Sequence, residues 1–221
     1  MPDFGREAEL WKQGYRHVAG VDEAGRGPLA GPVVVAAVIL PRDWPQALEL
    51  DDSKRLTPEA RETLFAGIRR HALAWRVRVM PPGLIDRVNI LRATLQGMAE
   101  AVSGLPLCAD YVLVDGNRLP VLEPPAEAIM KGDGRCCSIA AASILAKVVR
   151  DRLMRVYGQR YPRWGFAQHK GYATAAHLEA LRRWGPSPIH RRSFRVKGVE
   201  WQPAQRSDGT ENRSLPSIWS D

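Results

Sequence analysis

The chain is 221 residues long, 45% hydrophobic and 25% charged, with a formal net charge of +8 and a sequence pI of about 9.8. That length and composition allow one large core, or a core with a small appendage, and argue against a disordered or fibrous chain. A positive sum of this size attracts polyanions, so nucleic acid is the leading partner class, although an arginine-rich solvated surface would carry the same charge.

Taken in chain order, Met1 to Glu9 is charged and lacks the apolar stretch of a secretory signal, so residues 1–15 read as an N-terminal extension. Val18–Val21, Val33–Leu40 and Trp75–Met80 are short and rich in β-branched residues, which predicts the first three strands. The longest clean apolar run, Val33–Leu40, is too short to span a bilayer. Between the second and third strands a helix is expected over Pro58–His71, with Thr57 as its N-cap and Pro58 at the first helical position. Helical spacing then recurs from Ile90 to Val102, followed by short strands at Tyr111–Val114 and Ala126–Met130.

The strongest helical pattern runs from Ser138 to Val156, with the small residues Ala140, Ala141 and Ala142 on a face that can lie close to a sheet. Tyr157 to Lys197 reads as a helical, basic C-terminal portion with a helix near Thr174–Trp184, and residues 198–221 read as a flexible tail. Three strands in a row followed by strand–helix alternation predict an α/β fold with a mixed sheet flanked by helices. Arg150, Arg152, Arg155 and Arg160 are expected mostly on the helix surface.

Acids stand after three of these strands: Asp22-Glu23 after the first, Asp115 after the fourth and Asp133 after the fifth. Parallel strands bring their C-terminal ends to one edge of a sheet, where clustered carboxylates repel one another unless a hard cation neutralises them. One or two divalent ions there would suit phosphodiester cleavage. Each acid alone fits a turn better than a metal site; their recurrence on one edge favours the metal. Gly25-Arg26-Gly27, directly after the first pair, offers backbone N–H groups and a guanidinium to a phosphate. The three cysteines, Cys108, Cys136 and Cys137, are odd in number with two adjacent, which leaves no disulfide framework or zinc pattern and suits a reducing cytoplasm. Cys136 and Cys137 read as small packing residues, and His169 as a structural or substrate-contacting one.

At this point the residues resemble a known family. His17 to Pro32, with its Asp-Glu-Ala-Gly-Arg-Gly-Pro core, is similar to the signature of bacterial type 2 ribonuclease H, ribonuclease HII. The resemblance continues through Asp52-Ser53-Lys54, Val114-Asp115-Gly116, Lys131-Gly132-Asp133, Ala140 to Val148 with Arg150-Asp151, His169-Lys170-Gly171-Tyr172 and His190-Arg191-Arg192-Ser193-Phe194. It covers about residues 16 to 196 in family order, within a catalytic domain expected over 16–197. Ribonuclease HIII is a related family, but the Gly25-Arg26-Gly27-Pro28 stretch follows the HII pattern and only a short segment precedes the first strand.

The resemblance implies an RNase H-like fold and an endonuclease that cleaves the RNA strand of RNA–DNA hybrids and incises 5′ of single ribonucleotides embedded in duplex DNA. It implies Mn²⁺ or Mg²⁺ as cofactor, with Asp22, Glu23, Asp115 and Asp133 as metal ligands. Asp151, inside the long helix, is the competing acid and is read as a structural ion-pair partner. Gly25, Arg26 and Gly27 look like the loop that reads the RNA–DNA junction, and Tyr172 like the aromatic that meets the deoxyribose. Lys54 and Lys170 look like substrate contacts, and Lys131, Lys147, Arg191, Arg192, Arg195 and Lys197 add basic groups beside the motifs. The expected protein is a monomer with no membrane partner. The alternatives are another RNase H-like nuclease or a non-catalytic nucleic-acid-binding module.

Overall fold

The structure is a computed structural model and describes residues 1–45, 48–53 and 55–196. Lys54, Lys197 and the 198–221 tail therefore lie outside the described residues. The chain divides into two compact units, one made of Met1–Arg26 and Pro32–Arg150, the other of Gly27–Gly31 and the residues from Asp151 onward.

The first unit is built on a five-stranded mixed sheet of order β3-β2-β1-β4-β5. Its strands are β1 (Val18–Ala24), β2 (Val33–Ile39), β3 (Ala74–Met80), β4 (Tyr111–Asp115) and β5 (Ala126–Ile129). β1 pairs antiparallel with β2 and parallel with β4, and β4 pairs parallel with β5. The mixed sheet expected from the strand order is therefore present. Every residue of β2 is fully buried, as its unbroken Val/Ala/Ile composition demands of a strand covered on both faces.

Helices α1 (Gly5–Lys12), α2 (Pro58–His71), α3 (Pro82–Val88), α4 (Ile90–Ser103) and the start of α5 (Cys137–Arg160) belong to this unit. The Thr57 side chain accepts the Ala60 N–H at 3.2 Å and caps α2 as expected. α4 packs on β1, β2 and β3. α5 approaches β1 so closely that a Cβ on Gly20 would lie 2.1 Å from the Ser138 carbonyl carbon; only glycine fits there.

α1 and α3 had no counterpart in the sequence reading. α1 is bound into the core through Leu10, which clusters with Val18, Leu113, Ile129, Cys136 and Ile139; such full burial of a leucine is worth about 2 kcal/mol. Glu7 of α1 reaches the start of α5, where its Oε1 accepts from the Ser138 N–H at 2.8 Å and the Ser138 hydroxyl at 2.7 Å. Burial pushes the Glu7 carboxyl above its ordinary range.

The second unit holds a core of Ala30, Met154, Phe166 and Ile189, flanked by Tyr157, Tyr161 and Trp164. Short helices precede α7 (Ala175–Trp184), including α6 (Phe166–His169). The Gly27–Gly31 segment is laced to the rest of this unit by backbone bonds: Leu29 N–H to Gly171 O at 2.8 Å, Gly31 N–H to Ile189 O at 2.9 Å and Arg191 N–H to Leu29 O at 2.9 Å. Among the described residues no helix is long and apolar enough to cross a membrane.

Candidate metal centre and nucleic-acid contacts

β1 does not stop at Val21, where the apolar run ends. It continues through Asp22 and Glu23 to Ala24, because Asp22 pairs with Ala36 and Glu23 with Val35 on the fully paired β2. The two acids are thus neighbours on a regular strand, where successive side chains point to opposite faces. Asp22 is 4% exposed, whereas Glu23 reaches toward Arg26, whose Nη1 lies 3.4 Å from Glu23 Oε1.

Parallel pairing sets Val21 beside Val114, so Asp22 and Asp115 follow at the next step of adjacent strands. Asp115 Oδ1 accepts the Gly132 N–H at 2.6 Å, which ties the end of β4 to the turn after β5. That turn is a single 3-10 step, Gly132–Gly134, entered through Lys131 in the left-handed region. It carries Asp133, which is buried and accepts the Gly134 N–H at 3.0 Å.

The acids of this edge act on one another. Burial, then repulsion from Glu23 and Asp115, push the Asp22 carboxyl well above its ordinary range. Hydrogen bonds from Ser143 and from the Glu23 N–H, the latter at 2.6 Å to Oδ1, oppose that shift. Ser143, on α5, also shares a buried 2.9 Å hydrogen bond with Ser53, so the serine of the Asp52-Ser53-Lys54 motif leads back to Asp22.

In donor chemistry and in charge, Asp22, Glu23, Asp115 and Asp133 fit a hard divalent cation. Among the described residues, no three His, Cys, Asp or Glu side chains are arranged to hold one.

Two arginines read from sequence as surface or phosphate-binding groups are instead buried. Arg150 is 1% exposed, and its Nε donates to Pro32 O at 3.1 Å. It lies directly against Gly25, whose φ is +97° and where a Cβ would sit 1.9 Å from Arg150 Nε. Arg191 is 0% exposed and donates from Nε to Gly31 O at 2.9 Å, with its guanidinium over the Phe194 ring at 5.0 Å. Each arginine offers its charge to backbone carbonyls in its own unit, a use that a local sequence pattern does not distinguish from a solvated one.

Tyr172 is 48% exposed in the second unit, and a Cβ placed on Gly27 would lie 3.8 Å from its ring. Lys170 sits in the left-handed region two residues before it, and its Nζ donates to Ala167 O. His169 is structural: Nε2 bonds Trp164 O at 2.6 Å and Nδ1 accepts from Gly171 N–H at 3.1 Å. Burial pushes the Cys136 and Cys137 thiols up to about 12, so both are inert packing groups. Asp151 falls inside α5 and belongs to the second unit.

A family model for ribonuclease HII matches residues 19–197. The chain belongs to the ribonuclease HII family. Its relatives include the ribonuclease HII of Geobacter sulfurreducens, 56% identical over 86% of this chain and 87% of that protein, and that of Halalkalibacterium halodurans, 50% identical over 94% and 76%. Among solved structures, the ribonuclease HII of Archaeoglobus fulgidus in its complex with PCNA superposes with a TM-score of 0.72 at 27% identity, covering 84% of this chain and 98% of that one. Bst-RNase HIII in complex with Mn²⁺ shares the fold alone, with a TM-score of 0.58 at 23% identity over 76% and 63%. Ribonuclease HII is an RNase H endoribonuclease, a hydrolase that acts on nucleic acid, and the mixed sheet with flanking helices is its fold.

Proposed function

We propose that this ribonuclease HII cleaves the RNA strand of RNA–DNA hybrids and incises 5′ of single ribonucleotides in duplex DNA, leaving 3′-OH and 5′-phosphate ends. The observation that carries the reading is the buried Asp22 carboxyl, pushed up by its own burial and by Glu23 and Asp115 beside it. Mn²⁺ or Mg²⁺, held by Asp22, Glu23, Asp115 and Asp133, would supply Lewis acidity to the attacking water and to the phosphate oxygens. Hydrogen bonds from Ser143 and the Glu23 amide favour the ionised form of Asp22 and oppose the upward push of burial, and the Gly132 amide fixes one oxygen of Asp115.

In the same reading, Gly25, Arg26 and Gly27 meet the ribonucleotide side of the junction. Glycine permits close backbone approach, and the 2′-OH is the group that separates RNA from DNA. Arg150, packed against Gly25, keeps the start of that loop in its left-handed turn. Tyr172 offers a half-exposed ring to the sugar on the DNA side, and Lys54 and Lys170 contact backbone phosphates. The enzyme acts as a monomer in the cytoplasm, where three cysteines outside any disulfide are at home.

The test is incubation of the full chain with Mn²⁺ or Mg²⁺ and a duplex bearing one ribonucleotide, beside an all-DNA duplex. Incision 5′ of the ribonucleotide only, dependent on the ion, is expected. Cutting of both duplexes would make the protein a general nuclease, and binding without cutting would make it a binding module.

A further inference from the structure

Two histidines of the second unit are buried more completely than any acid of the metal edge: His177 is 0% exposed and His190 is 2% exposed. Buried imidazoles need partners on both nitrogens, and the partners here fix every proton. His177 Nδ1 lies 2.8 Å from the Tyr172 carbonyl oxygen, which only accepts, so Nδ1 carries the hydrogen. His190 Nδ1 accepts from the Ser187 N–H at 2.8 Å and meets the Ser187 hydroxyl at 2.7 Å, so in a neutral ring the hydrogen of His190 is on Nε2. Nε2 of His190 faces Nε2 of His177 at 2.9 Å and donates to it. Burial keeps both rings neutral, pushing His177 down to about 4 and His190 down to about 3.

The result is one directed chain: Ser187 N–H to His190, His190 to His177, His177 to the carbonyl of Tyr172. Its last acceptor belongs to the residue whose ring is exposed. The Thr174 N–H also donates to that carbonyl at 2.8 Å, and the Tyr172 N–H donates to His169 O at 3.0 Å. The His169 ring in turn stacks on His177 with centroids 4.3 Å apart. A carbonyl with two donors cannot rotate its peptide plane without losing both, and the plane at Tyr172 sets where its ring points.

We propose that His177 and His190 are positioning residues for Tyr172, a hydrogen-bonded chain through both imidazoles holding the Tyr172 peptide so that its ring meets the substrate sugar in one orientation. The proposal rests on the reading of Tyr172 as a substrate contact. His177 touches no substrate and acts through the tyrosine backbone.

The experiment exploits the geometry of amide side chains. Asparagine can place an N–H where Nδ1 of His177 stands; glutamine places its amide near Nε2 and leaves the Tyr172 carbonyl without that donor. On a duplex with one ribonucleotide, His177→Gln should lower kcat/KM roughly tenfold, the worth of one lost positioning bond, and His177→Asn should restore most of it. In a Tyr172→Ala background, His177→Gln should cause no further loss. Equal losses in both His177 variants, or a His177→Gln loss that persists without the tyrosine ring, would reduce the histidines to core packing.

The two readings fail separately. If Tyr172→Ala cuts like the parent, the reading of Tyr172 falls and the proposal with it. If Tyr172→Ala is impaired while His177→Gln is not, only the proposal falls. Should the substitutions prevent folding, imidazole ¹⁵N spectra of the full chain decide the issue: a proton on His177 Nδ1 and on His190 Nε2 is expected, and a proton on His177 Nε2 would break the chain at its last link.

Discussion

Asp22 and His177 are buried to a similar degree, 4% and 0% exposed, yet the molecule treats them in opposite ways. Burial disfavours charge on both, raising the acid and lowering the base. His177 is complete in its neutral form, since each ring nitrogen has a hydrogen-bond partner of the right sense. Asp22 is stressed in its charged form, because burial and two more carboxylates act against it, and the hydrogen bonds from Ser143 and one amide do not cancel them. The imidazole chain is satisfied as it stands. The carboxylate edge is a cost to the fold that a cation would offset.

The sharpest way to break that comparison is Asp22→Asn. It removes the repulsion while keeping shape and hydrogen bonding, so ion-dependent cleavage should fall at least about a thousandfold. Melting without added metal should stay level or rise by a few degrees, since a buried like-charge interaction is relieved. Initial rates on the ribonucleotide duplex and a calorimetric scan with and without Mn²⁺ read both. Cleavage within tenfold of the parent would take Asp22 out of the site. A large drop in melting temperature would make it a structural residue.

What was legible in the sequence divides along the same line. The strands, the Thr57-capped helix and the strand-end acids follow from local periodicity and turn chemistry, which two to four neighbouring residues specify. The continuation of β1 through Asp22 and Glu23 was not legible, because two adjacent acids look like a turn until β2 is seen to pair with them. Arg150 and Arg191 looked like surface because burial of a guanidinium depends on carbonyls brought by distant residues, Pro32 and Gly31. Ser53, Ser143 and His190 stood inside family-like motifs without a role assigned. His177 had no signal beyond its place on a short helix.

A smaller effect separates the two regions by pH. The unfolded histidines titrate near 6.5 and the folded ones at about 4 and 3, so below pH 6.5 the unfolded chain binds more protons than the folded one. The contribution of the two histidines is therefore flat above pH 6.5 and is lost progressively as pH falls through that value toward the folded ones, amounting to a few kcal/mol by pH 5. Asp22 has the reverse sign: its folded value is raised, so its contribution is fullest at low pH and is lost as pH rises through the folded value. Urea midpoints at pH 7.5 and pH 5 should show the fall in the parent and in Asp22→Asn alike, and a shallower fall in His177→Asn. An undiminished fall in His177→Asn would assign the acid sensitivity elsewhere.

The smallest expected effect tests whether the metal edge has a support of its own comparable to the imidazole chain. Ser53 and Ser143 share a buried 2.9 Å hydrogen bond, and Ser143 bonds Asp22, so Ser53 reaches the acid only through Ser143. Ser143→Ala should lower kcat/KM about tenfold, the worth of a hydrogen bond to a charged group, and Ser53→Ala about threefold. The double variant should be no worse than Ser143→Ala, because once the hydroxyl that Ser53 orients is gone, its own hydroxyl has nothing to pass on. Additive losses would mean that the Ser53 hydroxyl acts on the edge by a route that does not pass through Ser143. Coupled losses would give the stressed carboxylate the same kind of directed hydrogen-bonded backing that the neutral histidines give to Tyr172.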